Sequence, residues 1–157
     1  MELDIQMKAG DLYDYLLMHN YSKASGLLGS CVGALAVVVG IARAYVIFVI
    51  LGLALLLYLP WTLFIRSRQQ ILNNPVYKKP LHYVLDETGI TVSQNEVTQH
   101  ADWEQVRKVT ATGQSIIVYT GKNNACIFPN RETGERRADL VEILSTHVSP
   151  AKVKIRN

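Results

Sequence analysis

Apolar residues dominate one stretch of the chain, Ser25 to Ile65, in which Arg43 is the only charged residue among 41. A transmembrane helix needs about 20 apolar residues, because it rises about 1.5 Å per residue and the hydrocarbon core is about 30 Å thick. The stretch is therefore long enough for two crossings. Arg43 divides it into helices at about 26–42 and 44–65, joined by a tight turn at Gly40–Tyr45. The pattern predicts a membrane helical hairpin.

Two other interpretations of the stretch are less favoured. A single span with a buried or interfacial helix would leave irregular backbone between half-spans, which lipid does not tolerate. A cleaved signal peptide would begin with a basic region. The first 24 residues instead carry four acidic side chains against two lysines.

Basic residues near the spans predict the orientation. Four lie just after the second span, whereas the turn between the spans offers Arg43 alone. By the Lys/Arg asymmetry rule, the C-terminal side is expected in the cytoplasm, and a hairpin places the N-terminus there too. We therefore expect an integral protein of the inner (cytoplasmic) membrane with two spans. The four basic residues are Arg66, Arg68, Lys78 and Lys79.

The first span has small residues at spacings of four, three and four, which places them on one helical face. Such faces let helix backbones approach closely. We favour packing against the second span over homodimerisation, because a short turn makes the two helices neighbours. The predicted packing face consists of Gly29, Gly33, Ala36 and Gly40.

The segments that flank the hairpin are shorter and more polar. Within residues 1–24, Leu3–Met7 alternates apolar and polar residues and predicts a strand, and residues 11–18 predict an amphipathic juxtamembrane helix. After the spans, residues 67–79 read as a frayed helix end followed by a linker.

Six short strand-like runs follow between residues 80 and 149, separated by Gly, Asn and Asp residues typical of tight turns. The N-terminal strand is a candidate seventh. This pattern predicts a small, mostly-β cytoplasmic domain, a bent sheet or open barrel of six to seven strands. The runs are Leu81–Asp86, Gly89–Gln94, Val97–Trp103, Gln105–Ala111, Ser115–Thr120 and Ala125–Pro129.

The domain is predicted to end in a capping helix. Residues 135–147 place Leu140, Leu144 and Val148 on one face, so the helix can bury an apolar stripe over the open end of the sheet. Residues 150–157 form a basic tail that we expect to be mobile.

The order of these elements resembles the YcxB-like family of bacterial membrane proteins. The resemblance is carried by the segments 83–90, Trp103–Val109, 117–119 and Ile127–Arg131. It implies two transmembrane helices and a cytoplasmic domain of pleckstrin-homology-like fold, with a largely unassigned biochemical role. The family signature residues, which we interpret as structural, are Trp103, Val106, Tyr119 and Pro129.

The resemblance also has a departure. Where the family usually has Ile-Pro-Lys-Arg followed by an aromatic residue, this chain has Phe-Pro-Asn-Arg followed by Glu132. Any binding role of that lysine is therefore in doubt here. Trp103 is expected to pack under the sheet with its indole N–H paired, and Pro129 to end a strand.

The candidate chemistry of the chain is sparse. Four histidines are scattered without ligand spacing, and no Gly-rich phosphate loop or Ser, His and acid constellation is evident, so we expect no cofactor, metal site or enzyme activity. Cys31 and Cys126 are interpreted as free thiols in a reducing compartment. Residues 73–157 hold eleven Lys or Arg against nine Asp or Glu, too slight an excess to argue nucleic-acid binding.

Two functional hypotheses remain. The first is a membrane-anchored binding or scaffolding module, in which the β domain meets a protein, a peptide or its own copies, for example by strand addition. The second is an anionic-lipid-interacting protein that uses a basic cluster, Arg131, Arg136 and Arg137, as its binding surface. Acidic neighbours such as Glu132 and Glu135 favour a self-neutralised surface over a lipid site.

Overall fold

The computed structural model describes residues 1–122 and 124–155. Asn123 of the predicted turn at 121–124 and the last two residues of the predicted tail lie outside the described residues. The helices are α1 (Ala9–Tyr21), α2 (Ala24–Ala42), α3 (Val46–Asn73), α4 (Asn130–Thr133) and α5 (Arg137–His147). The strands are β1 (Glu2–Ile5), β2 (Leu81–Leu85), β3 (Gly89–Gln94), β4 (Val97–Asp102), β5 (Lys108–Ala111), β6 (Ser115–Tyr119), β7 (Ala125–Pro129) and β8 (Val153–Lys154).

Helices α2 and α3 form the predicted hairpin, and both are long and apolar enough to cross a membrane. The turn between them is short, and Ala44 adopts a left-handed backbone conformation with φ of 57°. Large apolar side chains along both helices point outward, for example Leu35 and Leu57, which are 64% and 65% exposed. A core helix of a soluble domain would bury such residues, so the exposure is consistent with a membrane protein.

The hairpin packs through backbone contacts at glycines. A Cβ atom added at Gly52 would lie 2.7 Å from the carbonyl oxygen of Gly33, and one at Gly40 would lie 2.8 Å from the backbone nitrogen of Val49. Side chains at these positions would force the helices apart. The predicted small-residue face therefore meets α3 at Gly33 and Gly40.

Helix α3 includes the first part of the segment 67–79, which the sequence predicts as a helix end followed by a linker. It continues to Asn73, and residues 75–78 add a single 3-10 turn. Ser67 is fully buried, and Ile71 packs against the core of the β domain. These contacts hold the segment as helix. Residues 67–73 form a neck together with α1, which lies against α3 through an edge-on contact of Tyr13 with Phe64.

The strands divide between two four-stranded sheets. One has the order β1-β2-β3-β4 and is fully antiparallel, and the other has the order β7-β6-β5-β8. Leu3 of β1 pairs with Tyr83 of β2, so the N-terminal strand joins the sheet that follows the spans. The hairpin is thus inserted between the first and second strands of one domain.

One apolar core lies between the sheets and under α5. Leu140, Leu144 and Val148 are buried on the predicted face of α5, together with Phe128 of β7. Two apolar helices near the N-terminus, a small sheet-rich domain and a C-terminal helix confirm the predicted fold class. The count of strands rises to eight because of β8.

The prediction of a mobile tail is wrong for residues 150–155. Val153 pairs in parallel with Val109 of β5, and Lys152 Nζ donates a hydrogen bond of 2.8 Å to the carbonyl oxygen of Val106. The backbone groups along the outer edge of β5 provide partners that a basic composition alone does not reveal.

Candidate ligand-binding cleft

An open cleft of about 930 Å³ lies between the two sheets and the neck. Its walls come from α1, the end of α3, the 3-10 turn at 75–78, the inward faces of β3 and β4, and residues 124–127. Small-molecule sites in proteins are typically concave and of about 300–1,000 Å³. The volume is therefore sufficient for a ligand.

The cleft exists because β4 does not fill the interior. Its inward positions are Val97, Gln99 and Ala101, and Gln99 lies opposite Val92 of β3. A small and a polar residue at core-facing positions leave space that larger apolar side chains would occupy. This is the signal in the sequence that could have indicated a cavity.

Within the described part of the chain, no Asp, Glu, Lys or Arg is among the residues that line the cleft. Burial raises the pKa of the phenols of Tyr15, Tyr77 and Tyr83, and raises that of the Cys126 thiol to about 12. Burial, followed by the charge of Lys23, lowers the pKa of His19. These side chains are therefore all uncharged at neutral pH.

Polar side chains of the lining connect the turn after α3 to β3. Gln94 Nε2 donates to the carbonyl oxygens of Val76 and Lys79, at 2.6 and 2.9 Å, and so fixes the turn after α3 against β3. Lys79 Nζ donates to Asn95 Oδ1 at 3.0 Å. One wall of the cleft is thus tied directly to the end of α3.

Aromatic side chains connect α1 to the second sheet beside the cleft. Tyr15 and His19 lie within 6.0 and 6.1 Å of the Tyr119 ring, measured between ring centroids, and Lys108 Nζ lies 5.9 Å from that ring. Burial and the neighbouring Tyr15 raise the pKa of Tyr119 to about 12. Tyr119, one of the signature residues, is next to Thr120 of the cleft wall.

The other signature residues lie in the core or at its edge. Trp103 is buried, its Nε1 donates to the carbonyl oxygen of Asp86 at 2.9 Å, and its ring stacks on His147 with centroids 5.0 Å apart. Val106 is fully buried, and Pro129 ends β7 opposite Ser115. These contacts position the sheets rather than a ligand.

The three arginines of the predicted basic cluster are engaged within the protein. Arg131 pairs with the buried Asp11 of α1 and donates to the carbonyl oxygen of Gln6 at 2.7 Å. Arg136 donates to the carbonyl oxygen of Glu2 at 2.7 Å. The first two therefore hold the N-terminal segment.

Arg137 and Glu132 complete the surroundings of this cluster. Arg137 Nε donates to Asn130 Oδ1 at 3.3 Å, and Glu132 forms a second ion pair with Arg131. All three arginines thus already donate to protein groups, which leaves fewer of their N–H groups for an anion.

The predicted packing face of the first span is only partly used. Gly33 and Gly40 contact α3, and Ala36 is half-buried. Gly29 is exposed, and a Cβ atom there would meet nothing within 4 Å. The four residues thus do not form one continuous contact with α3.

Metal chemistry has no visible basis in residues 1–122 and 124–155, where no three His, Cys, Asp or Glu side chains group closely enough to hold an ion. Cys31 and Cys126 are both free thiols. The cleft is thus a neutral cavity without a metal-ligand set among the described residues.

Comparison with known proteins agrees with the resemblance noted in the sequence. The family model described as YcxB-like protein matches residues 85–144, which run from the end of β2 to Leu144 of α5. Residues 85–144 are therefore similar to the YcxB-like family. This YcxB-like segment supplies β3, β4 and residues 124–127 of the cleft, whereas α1 and the end of α3 lie before it. No curated protein and no solved structure matches the chain.

Proposed function

We propose that the protein is a membrane-anchored binding module that presents its cleft at the cytoplasmic surface of the inner membrane. The observation that carries the proposal is the cleft of about 930 Å³ between the sheets, one wall of which is formed by the helices leading to the spans. A cavity whose wall includes the end of a membrane-spanning helix is suited to binding a ligand at the membrane surface.

The orientation rests on charge. Arg66 and Arg68 follow the apolar part of α3, and Lys78 and Lys79 follow its end, whereas the turn between the spans has Arg43. The Lys/Arg asymmetry favours a cytoplasmic β domain, and both termini then lie on that side because β1 pairs with β2.

Reporter fusions test this topology. A cytoplasm-active reporter after residue 157 is expected to be active, and the same reporter inserted between Arg43 and Ala44 is expected to be inactive. Activity at both positions would contradict a hairpin.

Binding is a better account of the cleft than catalysis. Acid–base or nucleophilic catalysis requires a group whose pKa is tuned toward the working pH. Burial instead moves the pKa of the Cys126 thiol and of the Tyr83 phenol further from neutrality. The side chains that line the cleft are therefore suited to holding a ligand.

A photo-crosslinking amino acid at one of two neighbouring positions tests the proposal. Gln99 lines the cleft, whereas Thr98 of the same strand is on the opposite face, and both are exposed. With the full chain in living cells, we expect a discrete adduct from position 99 and none from position 98. Absence of an adduct at position 99 would overturn the proposal.

The outer edge of β4 supports a second candidate, strand addition by a peptide or another copy of the chain. No described strand pairs with that edge, and Val97 at its start is 65% exposed. Protein adducts from positions 98 and 99 alike would favour this candidate over the cleft.

A further inference from the structure

The cleft is built beside the point where α3 leaves the membrane. Gln70, which lines the cleft, is five residues beyond Ile65, the last residue of the apolar stretch, or about 7.5 Å along the helix axis. On the other side, α1 lines the cleft with Leu12, Leu16 and His19, and ends three residues before α2 begins. A molecule in the bilayer surface is therefore the nearest source of a ligand.

Apolar side chains form much of the lining. Leu12 and Leu16 of α1 and Tyr77 after α3 line the side next to the neck, and Val92 and Val97 line it along β3 and β4. Among the described lining residues there is no Asp, Glu, Lys or Arg, which favours a hydrocarbon chain over a charged ligand.

Two cations lie at the rim. Lys23 is the residue before α2 and lies four positions after His19, which lines the cleft. Lys79 bonds to Asn95, which is part of the cleft rim. Among residues 1–122 and 124–155, no carboxylate side chain lines the cleft to compete for them. A partly apolar cavity with lysines nearby is complementary to an acyl chain that ends in an anionic group.

We propose, on the basis of the binding function above, that the cleft holds the acyl chain of an anionic membrane lipid, with the headgroup at Lys23 and Lys79. This site is distinct from the arginine cluster, whose members hold the N-terminal segment. Two sources share this chemistry, namely a free long-chain fatty acid and a phospholipid that extends one chain from the bilayer.

Photoactivatable lipids distinguish the sources and carry an internal reference. Full-length protein in bilayer nanodiscs is illuminated with either diazirine-labelled palmitic acid or phosphatidylglycerol bearing a diazirine acyl chain, and the labelled residues are mapped by mass spectrometry. Labels in α2 and α3 report contact with the bilayer. Labels in β3 and β4 report occupancy of the cleft.

Cleft-filling and matched control variants decide the outcome. Gln99→Trp is expected to reduce β3 labelling at least fivefold with span labelling unchanged, and Thr98→Trp on the opposite face is expected to change neither. Lys23→Glu with Lys79→Glu is expected to reduce β3 labelling at least threefold, and Lys154→Glu in β8 to leave it unchanged.

Three results would overturn the lipid assignment. They are labelling confined to the spans, equal β3 labelling in Gln99→Trp and Thr98→Trp, and a protein or peptide adduct at position 99 in cells. The last of these would leave the binding module intact, whereas absence of any adduct at position 99 would remove both proposals.

Discussion

The hairpin and the β domain use the same apolar residue types in opposite ways. In the hairpin, large side chains such as Leu57 face outward and glycine backbones meet at the helix contact. In the β domain, Leu144 and Phe128 are fully buried, and polar side chains such as Thr98 face outward. The difference shows which surroundings each part is built for, because lipid solvates large apolar groups whereas water excludes them.

Truncation of a leucine breaks this comparison most strongly. Leu144→Ala is expected to lower the free energy of unfolding of the β domain by about 2–5 kcal/mol, because it removes buried methyl groups and leaves a cavity. Leu57→Ala, at a lipid-facing position, is expected to change it by no more than about 0.5 kcal/mol. Urea unfolding of the full chain in detergent measures both, followed by the fluorescence of Trp103 beside α5 in a Trp61→Phe background that removes the other tryptophan. Similar losses for the two variants would contradict the inside-out arrangement.

Replacement of a glycine by a larger residue tests the close contact between the two helices of the hairpin. Gly52→Leu is expected to destabilise the helix pair by about 1–3 kcal/mol, because its Cβ would approach the carbonyl oxygen of Gly33 to within 2.7 Å. Gly29→Leu is the matched control, since the space around that residue is open. Thermal denaturation in detergent should show a lower midpoint for Gly52→Leu only. A comparable drop for Gly29→Leu would place that glycine in a contact absent from this structure.

The link between the two regions depends on Arg131. Arg131→Gln is expected to cost about 1.5–3 kcal/mol, because the buried carboxylate of Asp11 loses its charged donor. Arg137→Gln loses only a bond of 3.3 Å to the neutral Asn130 and should cost less. Hydrogen exchange of residues 1–8 is expected to speed up in Arg131→Gln and to stay near the wild-type rate in Arg137→Gln. Equal exchange in both variants would show that the arginine does not hold the N-terminal segment.

The smallest expected effect concerns the rate at which Cys126 is alkylated. Because burial raises the pKa of Cys126 to about 12, very little thiolate is present at pH 8, and alkylation by iodoacetamide should be slow. In a Cys31→Ser background, we expect unfolding in urea to accelerate alkylation at least tenfold. A cysteine placed at the exposed Val97, with Cys126→Ser, should react quickly without urea. Rapid alkylation of native Cys126 would show that its part of the cleft is open to water.

Local patterns in the sequence were sufficient for the hairpin and most of the strands. The run around Arg43 predicts both spans, and β3 and β7 have the predicted bounds, because length and alternation are local properties. The capping face of α5 follows from its helical spacing for the same reason.

Features that depend on contacts between residues far apart in sequence could not be predicted from local patterns. Residues 67–73 are helical because Ser67 and Ile71 are buried against other elements, and β8 forms because it pairs with the edge of β5. The cleft arises from residues far apart in sequence, such as Leu16 and Gln99. The arginine cluster was visible, but its partners Glu2, Gln6 and Asp11 belong to the other end of the chain.

The central claim is that the membrane hairpin is inserted into the β domain, with β1 paired to β2. Met1 and Leu85 exchange both backbone hydrogen bonds, so Asp4 and His82, three residues further along each strand, form a non-hydrogen-bonded pair with Cα atoms about 4.5 Å apart. That separation is suitable for a disulfide. The control is the double variant Asp4→Cys with Thr98→Cys. Its second cysteine is on β4, three strands from β1, so the two cysteines are about 14 Å apart.

Mild oxidation of membrane vesicles containing each double variant, in a Cys31→Ser and Cys126→Ser background, gives the most direct test. The account predicts that nearly all of the Asp4→Cys with His82→Cys protein forms an intramolecular disulfide while the Asp4→Cys with Thr98→Cys protein stays reduced. A reduced Asp4→Cys with His82→Cys variant, or equal oxidation of the two, would show that β1 does not complete the sheet.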